Sequence, residues 1–429
     1  MSPVNSEQSW PLPWAKPEEV GFSPERLARI GPSMQRFIDQ QKVPHLVTIV
    51  ARHGKTVHFD ARGFMDLDSK NPIHKDAIFQ LYSNTKPITG VAVMMLCEAG
   101  LLNLDDPISR YIPTFKDPVV IVPELPERPE AGLPNPLPPI FTVPARREIT
   151  IRDCLRHTTG MATPGRISAQ YMAANRETMT KLGWYPGATP ATTTRELVET
   201  LAKLPLVFHP GTDWEYHVGY PVLGVVIETV TRKTLEEFYQ ESIFRPLGMR
   251  DSSFRLAEKA FNRLPSCYLP RFTREGPALA ADDRPETYRK AKDDKANSDA
   301  GTGVLSTVGD YARFGQMLLN GGELDGVRIL GRKTVQLMTR NHLGNLYDRL
   351  LGPGFGWGLG VVVYDGSGGA PLLRSPGTYS CTGAAGTFYF TDPKEDLLCV
   401  CFTQVLNHRV IPGCTFQEEF ERLVYQALI

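Results

Sequence analysis

Ser83 and Lys86 stand three residues apart in Ser83-Asn84-Thr85-Lys86, the single S-x-x-K of the 429-residue chain. Residues i and i+3 share a helix face, so a lysine amine at this spacing reaches the serine hydroxyl. A serine hydroxyl is a poor nucleophile until a base takes its proton. Lysine serves as that base only when burial and nearby positive character keep its amine neutral, and a helix N-terminus supplies positive character. The pair could therefore form an acyl-transfer nucleophile. A plainer reading stands beside it: an apolar helix begins here, TKPITGVAVMMLCEAGLLNL, and serine is a common helix cap. About one S-x-x-K is expected by chance in a chain of this composition. The spacing alone leaves both readings open.

Other chemistries find no footing. The sequence has no G-x-S-x-G elbow, no H-E-x-x-H and no G-x-x-x-x-G-K-[ST], GVRILGRK being the nearest miss. The run GFGWGLG (354–360) lacks the last glycine of G-x-G-x-x-G and reads as a turn or strand whose backbone approaches something closely. Nine histidines show no metal-ligand spacing, so neither a metal nor another cofactor is expected. Seven cysteines, odd in number and without C-x-x-C, suggest free thiols rather than a disulfide framework.

The elements around the pair come from periodicity. Residues 24–41 read as a helix opened by Ser23 and Pro24 and kinked at Gly31-Pro32. HLVTIVARHGKTVHFDARG reads as a hairpin turning at His53-Gly54, and GTFYFTDPKEDLLCVCFTQV as another at Asp392-Pro393. Nine prolines within 118–144 exclude a regular helix or central strand and mark an extended surface insertion or a pocket wall. Residues 150–250 look largely helical, 271–298 look like a long solvated loop, and QEEFERLVYQALI closes the chain as an amphipathic helix. Strands near both ends around a helical middle give an α/β (α+β) fold with one antiparallel sheet built from both termini. The expected division is a discontinuous sheet domain, 1–82 and 296–429, and a mainly helical domain, 83–295, carrying the insertion 118–144.

Against this frame, FQLYSNTKPITGVAVMMLCEAGLLNLDDPISRYIP resembles the active-site segment of the serine β-lactamase and penicillin-binding-protein superfamily. ITIRDCLRHTTGM (149–161) is similar to its T-I-R-x-L-L-x-H-T-S-G, and FHPGTDWEYHVGYPVLGVVIE (208–228) to its tyrosine segment. GTGVLSTVGDYARFGQMLLNGGELDGVRIL (301–330) and GTFYFTDP (386–393) follow in the family's order. The nearest branch is the class C β-lactamase-like one, which includes the family VIII carboxylesterases.

The resemblance implies a β-lactamase/transpeptidase-like fold and a serine hydrolase with Ser83 as nucleophile, Lys86 as base and Tyr216 as proton shuttle, Tyr220 being the alternative tyrosine. It places Val218 where β-lactamases carry the asparagine of Y-x-N. It places Cys381-Thr382-Gly383 where β-lactamases read K-T-G and the esterase branch often W-G-G. Backbone amides of Ser83 and Ala384 would form the oxyanion hole, Gly383 would let the backbone approach substrate, and His157 would link a helix end to a loop. His217 and Trp357 are candidates for the pocket wall. The lysine lost at Cys381 removes a cation that binds carboxylates, which points from β-lactams towards a neutral small-molecule ester. An acyltransferase with the same acyl-enzyme, a β-lactamase or D-amino-acid peptidase, and a catalytically silent ligand sensor are the alternatives. Lys plus Arg equals Asp plus Glu at 47 each, which argues against nucleic acid or an anionic membrane as partner. No run reaches the roughly 20 apolar residues of a membrane span. The opening residues lack a basic start followed by an apolar run, so a cytoplasmic location is expected.

Overall fold

His53 and Gly54 both adopt positive φ, 52° and 71°, the backbone that a two-residue hairpin turn demands. They join β1 (His45–Arg52) to β2 (Lys55–Gly63), with Arg52 opposite Lys55. The rest of the main sheet comes from the far end of the chain: β11 (Phe355–Trp357), β12 (Val362–Tyr364), β13 (Tyr379–Thr382), β14 (Phe388–Asp392) and β15 (Leu397–Phe402). The order is β11-β12-β13-β14-β15-β1-β2, antiparallel at every pairing. The two ends meet where β15 pairs with β1, from Val47↔Phe402 to Arg52↔Leu397. The fold is of the β-lactamase/transpeptidase type, an α/β (α+β) arrangement. The computed structural model describes residues 10–122, 140–164, 166–182, 193–216, 218–274, 276–282, 299–367 and 372–429.

The central strands are apolar on both faces because both faces are covered. Val47, Ile49 and Ala51 of β1, with Leu398, Val400 and Phe402 of β15, join a core shared with α3 (Thr85–Glu98) and α10 (Val308–Leu319). The alternating residues Leu46, Val50, Leu397, Cys399 and Cys401 pack instead with α2 (Ile30–Asp39) and α12 (Phe416–Ala427). Between β2 and α10 lies the expected helical stretch: α4 (Ile151–Arg156), α5 (Ala169–Ala174), α6 (Arg176–Lys181), α7 (Thr194–Leu201), α8 (Gly219–Thr231) and α9 (Leu235–Tyr239). The short α11 (Arg332–Met338) precedes β11.

Three details depart from expectation. The helix expected over 24–41 divides into α1 (Pro24–Leu27) and α2, with the break at Ala28-Arg29 rather than at Gly31-Pro32. Pro32 thereby falls in the first turn of α2, where its missing N–H costs nothing. The loop expected at 271–298 begins instead as a hairpin of β6 (Cys267–Thr273) and β7 (Gly276–Asp282). Its solvated residues gave no apolar alternation, because only Cys267 and Tyr268 anchor it in the core. The proline-rich stretch is bounded by a ribbon of β4 (Val119–Val122) and β5 (Phe141–Pro144); residues 123–139 lie outside the described residues.

Candidate active site

Ser83 lies in a 3₁₀ turn, Tyr82–Asn84, that feeds directly into α3. Tyr82 holds φ at +49°, a conformation that costs a bulky residue energy and that tertiary contacts must impose. Those contacts are visible. Asn84 Nδ2 donates to Thr387 Oγ1 at 3.0 Å, Thr387 Oγ1 donates to the Leu81 carbonyl at 2.7 Å, and Tyr311 of α10 donates to the Asn84 carbonyl at 2.8 Å. A ring cluster of Phe79, Tyr311, Tyr389 and Phe402 backs the turn. Asn84, not Ser83, occupies the cap position, and its side chain makes no capping bond. The Ser83 hydroxyl is engaged instead by Lys86, whose Nζ lies 3.0 Å from Oγ.

Lys86 is fully buried. Its Nζ also donates to the Gly301 carbonyl at 3.0 Å and sits 4.9 Å and 5.3 Å from the ring centroids of Tyr216 and Tyr220. Burial lowers its pKa to about 8, against opposing pulls from Cys381 and Asp299. Burial also pushes the Cys381 thiol up to about 12, so that group is neutral at ordinary pH. Asp299 is itself tied down, accepting from the Gly301 amide at 2.6 Å and the Thr302 hydroxyl at 2.8 Å.

Tyr216 shares the cavity wall with Ser83. Burial raises the pKa of this phenol against a smaller downward pull from the Ser83 side chain, the opposite of the lowering a resting phenolate would need. Its position comes from the HTTG segment. His157 ends α4 in the left-handed conformation at φ 63°, and its carbonyl accepts the Glu215 amide at 2.9 Å. The His157 ring packs 4.6 Å from Tyr216 and 4.5 Å from Trp357. Tyr220 is a different case: its hydroxyl is buried and donates to the Leu155 carbonyl at 2.9 Å.

On the opposite side, β13 brings Cys381 Sγ to 3.2 Å from the Ser83 carbonyl. β12 pairs only with Tyr379 and Ser380, so the Cys381–Thr382 edge carries no strand on that side. Gly383 is needed for packing rather than only for access to substrate. A Cβ there would lie 2.1 Å from Thr387 Oγ1 and 2.3 Å from the Leu81 carbonyl. The close approach expected of GFGWGLG is likewise made against the site's own helix, since a Cβ on Gly360 would meet the Lys86 carbonyl at 3.0 Å.

These parts line one cavity of about 400 Å³, walled by Ser83, Tyr216, Trp357 and Cys381 through Ala384. Trp357 both lines it and packs, its indole N–H donating to the Leu155 carbonyl at 2.8 Å. Val218 stands apart, buried in the core at the start of α8 instead of in the cavity wall. His217 lies outside the described residues. Sequence reasoning missed the Gly301 carbonyl that holds Lys86, although 301–330 carried a family motif. It also missed the wall formed by Asp348, Leu350, Leu351 and residues 407–410, whose loops show no periodic signal. Asp348 Oδ1 accepts from the Leu350 and Leu351 amides, and burial raises this carboxyl to about 6. Among the described residues no group of side chains could hold a metal ion, and no helix is long and apolar enough to cross a membrane.

Comparison with known proteins agrees with this geometry. The family model for Beta-lactamase matches residues 32–409. The chain belongs to the β-lactamase family. Among curated proteins, the uncharacterized protein MT1414 of Mycobacterium tuberculosis is 32% identical over 388 residues, 87% of this chain and 88% of that one. Among solved structures, EstCE1, described as a hydrolase with promiscuous acyltransferase activity, superposes with a TM-score of 0.73 at 25% identity, covering 94% of this chain and 99% of its own. Simvastatin synthase (LovD) from Aspergillus terreus gives a TM-score of 0.75 at 22% identity over 94% and 98%, which shows the shared fold. The family is one of serine hydrolases and acyltransferases, and in this chain Ser83, Lys86 and Tyr216 lie together.

Proposed function

We propose that this protein is a serine carboxylesterase working through an acyl-enzyme on Ser83. The observation that carries the reading is the buried Lys86 amine 3.0 Å from the Ser83 hydroxyl, with its pKa lowered to about 8. A neutral amine that donates one N–H to the Gly301 carbonyl keeps its lone pair free to accept the Ser83 proton. Ser83 Oγ then bonds to the ester carbonyl carbon, the proton passes by way of Tyr216 to the departing alkoxide, and the alcohol leaves. Water attacks the acyl-enzyme by the reverse relay and releases the carboxylic acid. The raised pKa of Tyr216 makes it a proton carrier rather than the resting base.

The developing oxyanion falls to the amides of Ser83 and Ala384. The Gly383 carbonyl accepts from the Gly386 amide at 2.9 Å, so across the trans peptide the Ala384 N–H points the other way, out of the turn. Cys381 supports a neutral ester over a β-lactam: a buried neutral thiol offers nothing to a substrate carboxylate. The test is turnover of p-nitrophenyl acetate and of nitrocefin by the same preparation. The reading predicts that the ester is cleaved far faster and that Ser83→Ala abolishes this; nitrocefin turnover comparable with ester turnover would overturn it. A second reading, transfer of the acyl group to an added alcohol or amine, draws support from EstCE1. Product analysis with and without such an acceptor separates transfer from hydrolysis.

A further inference from the structure

The cavity that holds Ser83 has a neighbour. A second cavity of about 380 Å³ adjoins it, and Leu351, Ser380, Thr382 and Arg409 belong to the walls of both. Its exposed surface is largely hydrocarbon, with Phe355, Leu372, Leu373 and Phe388 standing beside Gln417 and four charged side chains besides Arg409. Arg374 pairs with Glu421, both nearly buried, Arg422 pairs with Glu419, and Arg409 and Glu418 reach the wall from exposed positions. An apolar occupant would therefore not strand a buried charge in that wall.

The rim is apolar as well. Leu350 is 66% exposed, Leu373 56% and Val410 53%, and each lines one of the two cavities. Single exposed leucines need no explanation, but apolar side chains gathered round one opening mark a surface that is covered in use. Adjacency to the Ser83 cavity says what covers it, since whatever occupies the second chamber touches residues that also wall the Ser83 cavity.

We propose that the substrate is a lipophilic ester with an extended apolar arm, its carbonyl at Ser83 and its arm passing Leu351 and Arg409 into the second chamber. The inference rests on Ser83 being an ester-attacking nucleophile. It adds that hydrocarbon length on one side of the ester is what the site selects. The arm could belong to the acyl or to the alcohol portion, and the same experiment distinguishes them.

That experiment measures kcat/KM of the full chain on two series below their micellar concentrations: p-nitrophenyl esters from acetate to dodecanoate, and acetates of linear alcohols from ethyl to decyl. Burial of each methylene is expected to raise kcat/KM about three- to fourfold in one series until the chamber is filled. Leu373→Asp should cut the long-to-short ratio in that series at least tenfold, and Leu101→Asp, at an exposed position outside both chambers, should leave the ratio unchanged. Hydrolysis of the short esters with no rise along either series would overturn the arm while sparing the esterase reading. An unaltered ratio in Leu373→Asp would do the same. Absence of hydrolysis for every ester in both series would overturn the esterase reading and this inference with it.

Discussion

The two sides of the cavity are built on different terms. Around Ser83 the chain is over-determined: a strained Tyr82, an Asn84–Thr387–Leu81 hydrogen-bond chain, a buried Lys86 gripped by the Gly301 carbonyl, a glycine at 383 where no Cβ fits and another at 360 where one would be crowded. Across the cavity the wall is loop and a short 3₁₀ turn, with Leu350, Leu351 and Val410 turned partly to water. The first region gives up stability to place reacting atoms; the second leaves hydrocarbon exposed to receive something. The contrast suggests that chemistry is settled on one side and substrate choice on the other.

The largest effect should come from the side that places the atoms. Lys86→Met removes the proposed base while filling its volume, and kcat/KM for a short ester should fall about 10²- to 10⁴-fold. Folding should not suffer. A pKa lowered from 10.5 to about 8 means that the buried ammonium costs the native state about 3 kcal/mol below pH 8. A melting temperature at pH 7 equal to or above that of the unsubstituted protein would agree with this. A well-folded variant with undiminished activity would remove Lys86 from the mechanism.

Next in size is the response to pH. The native state binds fewer protons at Lys86 than the unfolded chain between about pH 8 and 10.5, so this group's contribution to stability rises with pH across that window. The active form carries the neutral amine. For a neutral ester, kcat/KM should therefore fall about tenfold per pH unit below pH 8. A profile flat from pH 6 to 9 would mean that Lys86 does not titrate in that range.

A smaller effect tests the scaffold. Thr387→Val keeps the shape but removes the bond to the Leu81 carbonyl and the acceptor for Asn84, all buried. A loss of about 2 kcal/mol in stability is expected, with lower kcat and little change in KM. A KM effect without a kcat effect would place Thr387 on the substrate side of the comparison.

The same contrast explains what was legible in the sequence. Ser83 and Lys86 were legible from the apolar helix that begins between them, whereas Tyr216, in an irregular stretch before α8, was legible only because its flanking residues resemble the family's tyrosine segment. The main sheet was legible because β1, β14 and β15 are largely apolar runs and recognisable turns join β1 to β2 and β14 to β15. The exposed β6–β7 hairpin was not, since backbone ladder bonds rather than buried side chains hold most of it. The resemblance to Y-x-N puts Val218 among the substrate contacts, yet it caps α8 with its side chain in the core. Asp348, Leu351 and Arg409 come from loops far apart in sequence, and no periodicity announces that they share a wall.

The central claim, that Ser83 forms the acyl-enzyme, is tested most directly by mass spectrometry of protein quenched in acid during turnover of a slow ester. The account predicts one acyl mass added per chain, located on Ser83 and absent from Ser83→Ala. An acyl group located instead on Cys381, or ester turnover that persists in Ser83→Ala, would contradict it.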